Sequence, residues 1–178
     1  MITKTSDIQE LNKILRQQLI LQSELTPNQV MNGVSIHGQD LIERINQYAY
    51  KSYELTDSFI VFILNSRESS NDMSQVREDG TIKSINSYQL HVYVYGLSAQ
   101  TLANKITSRL RTEFARLDLQ QKGVYVASVS NPITGNEFIN NTLMIRCDFF
   151  VDVSVEMTIE QVSQAQDLEL GEIIIEEV

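Results

Sequence analysis

The sequence predicts an α+β fold: a mainly antiparallel, four-stranded sheet with helices packed on one face, a long loop and an extended C-terminal tail. Two observations carry this. Residues 143 to 155 alternate apolar and polar side chains through a whole long strand, and two stretches repeat apolar residues at helical spacing. The coarse order, α, a packed segment, β, a long loop, β, α, β, β, tail, is the order of an antiparallel sheet with helices segregated to one side. At 178 residues the chain suits one domain with a real core, expected over residues 1–158, with 159–178 as an acidic tail.

Ser6 and Gln9 match a capping box, and Ile8, Leu11, Ile14/Leu15, Gln18/Leu19, Leu21/Gln22 and Leu25 follow at helical spacing up to Pro27, predicting a helix over 7–25. Pro27, Asn32-Gly33 and Gly38 then punctuate the chain. Leu41, Ile42, Ile45, Tyr48 and Ala49 fit either a short helix or an irregular packed segment. Residues 58–64 form a β-branched and aromatic run without alternation, the pattern of a central strand buried on both faces. From Asn65 to Lys83 the chain is polar and aperiodic, so 66–83 is expected to be an exposed loop of a length usually tied to function.

A second strand is predicted from Tyr88 to Tyr95, with Tyr88, Leu90, Val92 and Val94 on one face and Gln89, His91, Tyr93 and Tyr95 on the other. Ser98 is placed to cap one helix carrying Ala99, Leu102, Ala103, Ile106, Leu110, Phe114 and Leu117 as a single apolar stripe, with Gly123 ending it. Residues 124–130 read as the third strand and 131–136, Asn-Pro-Ile-Thr-Gly-Asn, as turn chemistry. In the fourth strand Leu143, Ile145, Cys147, Phe149, Val151, Val153 and Val155 point one way. Met144, Arg146, Asp148, Phe150, Asp152 and Ser154 point the other.

Composition removes several function classes. With 14 basic against 23 acidic residues the net charge is −9, which repels nucleic-acid backbones. The same charge suits a surface past which DNA slides without sticking, and equally a merely soluble protein. No apolar run approaches the roughly 20 residues of a membrane helix, and the first residues lack the pattern of an export signal, so the cytoplasm is the expected site of synthesis and assembly. Cys147 is the only cysteine, which excludes an internal disulfide and a cysteine zinc cluster.

No catalytic, cofactor or metal site emerges. The two histidines, His37 and His91, lack a second ligand at zinc-site spacing, and neither a GxSxG elbow nor a glycine-rich phosphate loop is present. Asp148 and Asp152 share a strand face about 13 Å apart, beyond the spacing of glycosidase pairs. With His91 they make the least implausible polar cluster for an enzyme or small-ligand module. Their plainer reading, with Arg146, is the polar face of a sheet. Tyr93, Tyr95 and Phe150 are aromatic on those otherwise polar faces, which suits a protein interface. Ile173, Ile174 and Ile175 suit burial too, yet an acidic, glutamine-rich spacer separates them from the last strand. The expectation is that this segment docks on a neighbour by adding a strand to a sheet edge.

Several of these segments together resemble a family. The N-terminal helix, the buried Phe59–Leu64 strand, the polar loop, the Tyr88–Tyr95 strand ending at Gly96 before Ser-Ala-Gln-Thr-Leu-Ala, and Val129-Ser-Asn-Pro-Ile-Thr-Gly135 before Arg146-Cys-Asp-Phe-Phe-Val-Asp-Val look like a tail terminator of a tailed bacteriophage. The resemblance covers about residues 5 to 158 and rests on element order, since the family has no catalytic motif. It implies a virion protein forming a ring, usually six-fold, that docks on the last ring of the tail tube, stops its growth and offers a surface to the head connector. Its partners would be copies of itself, the tail tube protein and neck proteins, with DNA passing through the hole. A related neck or tail-completion protein would share much of the pattern.

Overall fold

One strand longer than any ordinary sheet organises the molecule. A computed structural model describes residues 8–33, 58–67, 75–76, 81–139 and 142–160. Within them the elements are α1 (Ile8–Ser23), β1 (Val30–Asn32), β2 (Phe59–Arg67), β3 (Gln75–Val76), β4 (Thr81–Tyr95), α2 (Ala99–Leu110), α3 (Glu113–Gln121), β5 (Val124–Val129), β6 (Ile133–Ile139) and β7 (Thr142–Glu160). β7 has 19 residues, about 60 Å of extended chain. Its backbone groups need partners on both edges. β4 supplies them along one edge from Arg146 to Glu160, while β5 and β6 share the other, β5 opposite Val151–Val155 and β6 opposite Thr142–Asp148.

Among the described residues the sheet therefore has seven strands, in the order β1-β2-β4-β7-β5, with β3 beside β4 and β6 beside β7. Every pairing is antiparallel except the parallel β1–β2 contact. This corrects the four-stranded expectation, and the added strands explain why. β1 is three residues long and β3 two, too short for any period to show, and β6 begins at Ile133 inside the expected turn 131–136, whose Ile-Thr-Gly-Asn part pairs with the otherwise unpaired start of β7. The expected loop over 66–83 is corrected at its ends in the same way. Ser66 and Arg67 continue β2, Gln75–Val76 is β3 and Thr81 opens β4. Residues 68–74 and 77–80 lie outside the described residues, as do Ser6, His37, the segment 34–57 and the tail from 161 onward.

The helices lie on one face, as expected. α2 packs on β7 and β4, α3 on β5, and α1 on α2 and β1. Between them and the sheet sits the main core, with Leu11, Leu15 and Leu19 from α1, Ala103 and Ile106 from α2, Ile60 and Phe62 from β2, Leu90, Val92 and Val94 from β4, and Cys147 to Val155 at alternate positions of β7. The predicted α1 stripe holds at its centre, but Ile8 and Leu21 are exposed. Arg109 donates to the Gln22 carbonyl and to Glu24, and Lys105 to Glu24, binding α2 to the end of α1. These cations also fix Glu24, which ends α1 in the left-handed region at φ 63°.

The single helix expected over 99–117 is two. Thr112 breaks it with an extended backbone, and its hydroxyl accepts from the Ala115 N–H while donating to the Arg109 carbonyl. The break rotates the second half of the stripe, so α3 buries Ala115 and Leu119 and leaves Phe114 79% exposed. Leu117 is likewise turned outward. Ser98 makes no side-chain cap on α2. Gly123, at φ 80°, ends α3 as expected, with its N–H on the Gln120 carbonyl.

Candidate functional site

Because side chains alternate along a strand, the helix-covered face of the sheet determines the composition of the other. The β4–β7 register sets Gln89 opposite Asp152, His91 opposite Phe150, Tyr93 opposite Asp148 and Tyr95 opposite Arg146. None of the described helices packs on this side. β2 adds Phe59 opposite Tyr95 and Val61 opposite Tyr93. A bulge in β5 between Val126 and Ser128 shifts the parity, so that Val126 and Val129 both face the core while Ser128 falls opposite Asp152.

Arg146 is the hub of one end. Its Nη1 donates to Glu137 Oε2 at 2.8 Å and its Nη2 to Asp148 Oδ2 at 2.8 Å, while the guanidinium lies 5.4 Å from the Tyr93 ring centroid. The Tyr95 hydroxyl donates to the same Glu137 oxygen at 2.9 Å, and its ring stacks on Phe59 at 4.8 Å. Burial works against the Arg146 charge, but its hydrogen bond to Glu137 and the Asp148 carboxylate outweigh it and push its pKa up. Burial and then Glu137 push the Tyr95 phenol above its ordinary value, so it remains a neutral donor. Beneath the aromatics Met31, Phe59, Val61, Tyr95 and Met144 form a second small core on this face.

Asp152 is the hub of the other end, accepting from Ser128 Oγ at 2.6 Å, Gln89 Nε2 at 2.9 Å and Arg67 Nη1 at 3.0 Å. Burial alone would raise its carboxyl, but these donors and the nearby charges hold it below the usual carboxylate range. Gln89 Oε1 meets His91 Nε2 at 2.8 Å, and the His91 ring stands edge-on to Phe150 at 4.5 Å. Desolvation lowers His91 against the pull of Asp148 and Asp152, leaving it neutral at pH 7.

Asp152 gives a pH signature. A depressed folded pKa contributes stability that is present above the unfolded value of about 3.9 and lost as pH falls through the folded value. The Asp152→Asn variant is expected to be less stable than the parent at neutral pH and to lose less below pH about 4. Urea unfolding across that range checks this. Parallel curves for the two proteins would remove Asp152 as the group responsible.

The arrangement suits contact more than reaction. Asp148 and Asp152 flank Phe150 and each is engaged by an arginine, and the carboxyl of Asp152 is held low where a general acid needs a raised one. Cys147 lies on the opposite, buried face, where desolvation pushes its thiol up. Among the described residues no group of three or more His, Cys, Asp or Glu is placed to hold a metal, and no helix is long and apolar enough to cross a membrane. Tyr93, Tyr95, Arg146 and Phe150, the aromatic and basic residues singled out in the sequence, are brought onto one surface. Ile173, Ile174 and Ile175 lie outside the described residues.

That surface retains two buried polar atoms without a partner, Arg146 Nε and Asp148 Oδ1. Sequence reasoning missed Glu137, Arg67, Gln89 and Ser128, which hold the two hubs in place. Arg67, Ser128 and Glu137 reach their hubs from other strands, so no local period marks them, and Gln89, which the β4 alternation placed on this face, is joined to Asp152 only by strand register. A family model described as phage neck terminator protein matches residues 9–177, nearly the whole chain. No curated protein matches it.

Proposed function

The chain belongs to the phage neck terminator family, and from that premise we propose that it forms a homo-oligomeric ring, six-fold as in the resemblance drawn from its sequence, that caps the tail tube. Membership makes it a structural component of the phage neck and points away from an enzyme. In this reading the ring stops tube polymerisation, presents its other side to the head connector or neighbouring neck proteins, and lets DNA pass through its hole. The net charge of −9 suits that passage, since a negative lumen does not retain a phosphate backbone. Assembly would take place in the host cytoplasm.

The observation that carries the contact role is the aromatic face of β4 and β7, where Tyr93, Tyr95 and Phe150 lie beside Arg146. Interfaces are enriched in these residue types. Light scattering of the purified chain, with electron micrographs of the same sample, is the direct test. A discrete closed species several times the 20.3 kDa subunit mass is expected. A protein that stays monomeric at high concentration and forms no rings on tail tubes would overturn the proposal.

A further inference from the structure

The start of β7 runs past the body of the sheet. β4 ends at Tyr95, opposite Arg146, so residues 142–145 project about 13 Å further, with β6 as their strand partner among the described residues. On this ribbon Phe138 lies directly opposite Leu143, and both are exposed, Phe138 by 73%. We propose that this apolar tip packs, in the assembled ring, against Phe114 and Leu117 on α3 of the next copy. The inference rests on the ring reading and names two of the patches that meet in it.

Both patches are more than scattered surface residues. Phe138 and Leu143 form a cross-strand pair on one face of the ribbon, and Leu97 is exposed at its root, where the Gly96 N–H donates to the Ile145 carbonyl. Residues 135–145 hold one charged side chain, Glu137, and it is engaged by Arg146 and Tyr95. Free sheet edges normally carry charges that discourage pairing, and a two-stranded ribbon gains stability from a cover on its apolar face. On α3, Phe114 and Leu117 stand within one turn of each other and are exposed, while Ala115 and Leu119 are the buried side of that helix. The exposed Ile8 and Leu21 of α1 are about 20 Å apart along their helix and make no such pair.

One subunit cannot bring these patches together. Arg111, just before α3, donates to the carbonyls of Val129 and Ser130, and the Ser130 N–H donates to the Phe150 carbonyl, which fixes the start of α3 level with Phe150. Leu143 lies about 23 Å away along β7, and the β6–β7 ladder is unbroken from Asp148 to Thr142. A ribbon paired along that whole length does not fold back across the gap. A closed ring of identical subunits joins two different patches of the chain head to tail, and here one projects while the other lies on the flank of a helix. Glu137 and Arg146 tie the root of the ribbon to the open face of the sheet, so this contact continues the one expected there.

The test uses full-length chains. A Phe138→Cys chain is co-assembled with a Phe114→Cys or Leu117→Cys chain and treated with a short bis-maleimide linker, which spares buried Cys147. Bridged dimers between the two chains are expected for at least one pairing, and about tenfold fewer when the second chain carries Leu21→Cys, on an exposed position of α1. In a second measurement, Phe138→Ala and Phe114→Ala are each expected to raise the concentration needed for ring formation at least about tenfold, and the double variant by less than the product of the two factors. Factors that simply multiply overturn the placement, because they put the two rings in separate contacts. So does equal bridging to Leu21→Cys, or a linker closed within one chain that carries both Phe138→Cys and Leu117→Cys. If rings are present in the same sample and no bridge forms, the placement fails and the ring stands. If every sample is monomeric, with and without tail tubes, the ring reading fails and the placement goes with it.

Discussion

Replacing Phe149 by alanine is expected to destabilise the fold by about 3–5 kcal/mol, with little change in the denaturant m-value. The ring is fully buried on β7, opposite Val92 of β4 and under α2. The loss is the transfer free energy of the aromatic side chain plus a cavity that a close-packed core closes only in part. Against a typical total of about 5–15 kcal/mol, it leaves little folded protein in mild urea. Leu143→Ala, on the same strand and of the same parity, is the internal comparison. That leucine is 55% exposed where β7 runs past the end of β4, so its loss is expected to cost under about 1 kcal/mol. Urea titrations of the two variants decide the matter. Equal losses would mean that the start of β7 is covered like its middle.

The second large effect is on assembly. Tyr93→Ala with Phe150→Ala removes two rings from the open face and leaves the main core untouched, since both side chains lie on the side away from the helices. Aromatic hot spots are worth about 2–4 kcal/mol each on truncation, so the concentration needed for ring formation is expected to rise at least about a hundredfold. The monomer keeps Arg146 on Glu137 and Asp148, and Asp152 on Arg67, Gln89 and Ser128. Its melting temperature is therefore expected to move by only a few degrees. Sedimentation velocity over a dilution series reads the assembly and circular dichroism the fold. Unchanged ring formation in a folded variant would take this face out of the subunit contact.

The sequence by itself determined what depends on local period. The alternation of β4 and β7 assigned Leu90, Val92, Val94, Phe149, Val151 and Val153 to the core face and Tyr93, Tyr95, Arg146 and Phe150 to the other, and the family resemblance followed from the order of those elements. The stripe of α1 held at its centre for the same reason. What only the tertiary structure decided is whatever depends on a partner distant in sequence. Asn-Pro-Ile-Thr-Gly-Asn prefers a turn, but its last four residues became part of β6 because the overhanging start of β7 offered backbone groups that needed pairing. Phe114 fitted the helical stripe until the Thr112 hydroxyl capped a second helix and turned the ring to solvent. Glu137 joined Arg146 and Ser128 joined Asp152 through strand register and a bulge. Period is written along the chain, but register is set by which edges remain unpaired once the core has formed.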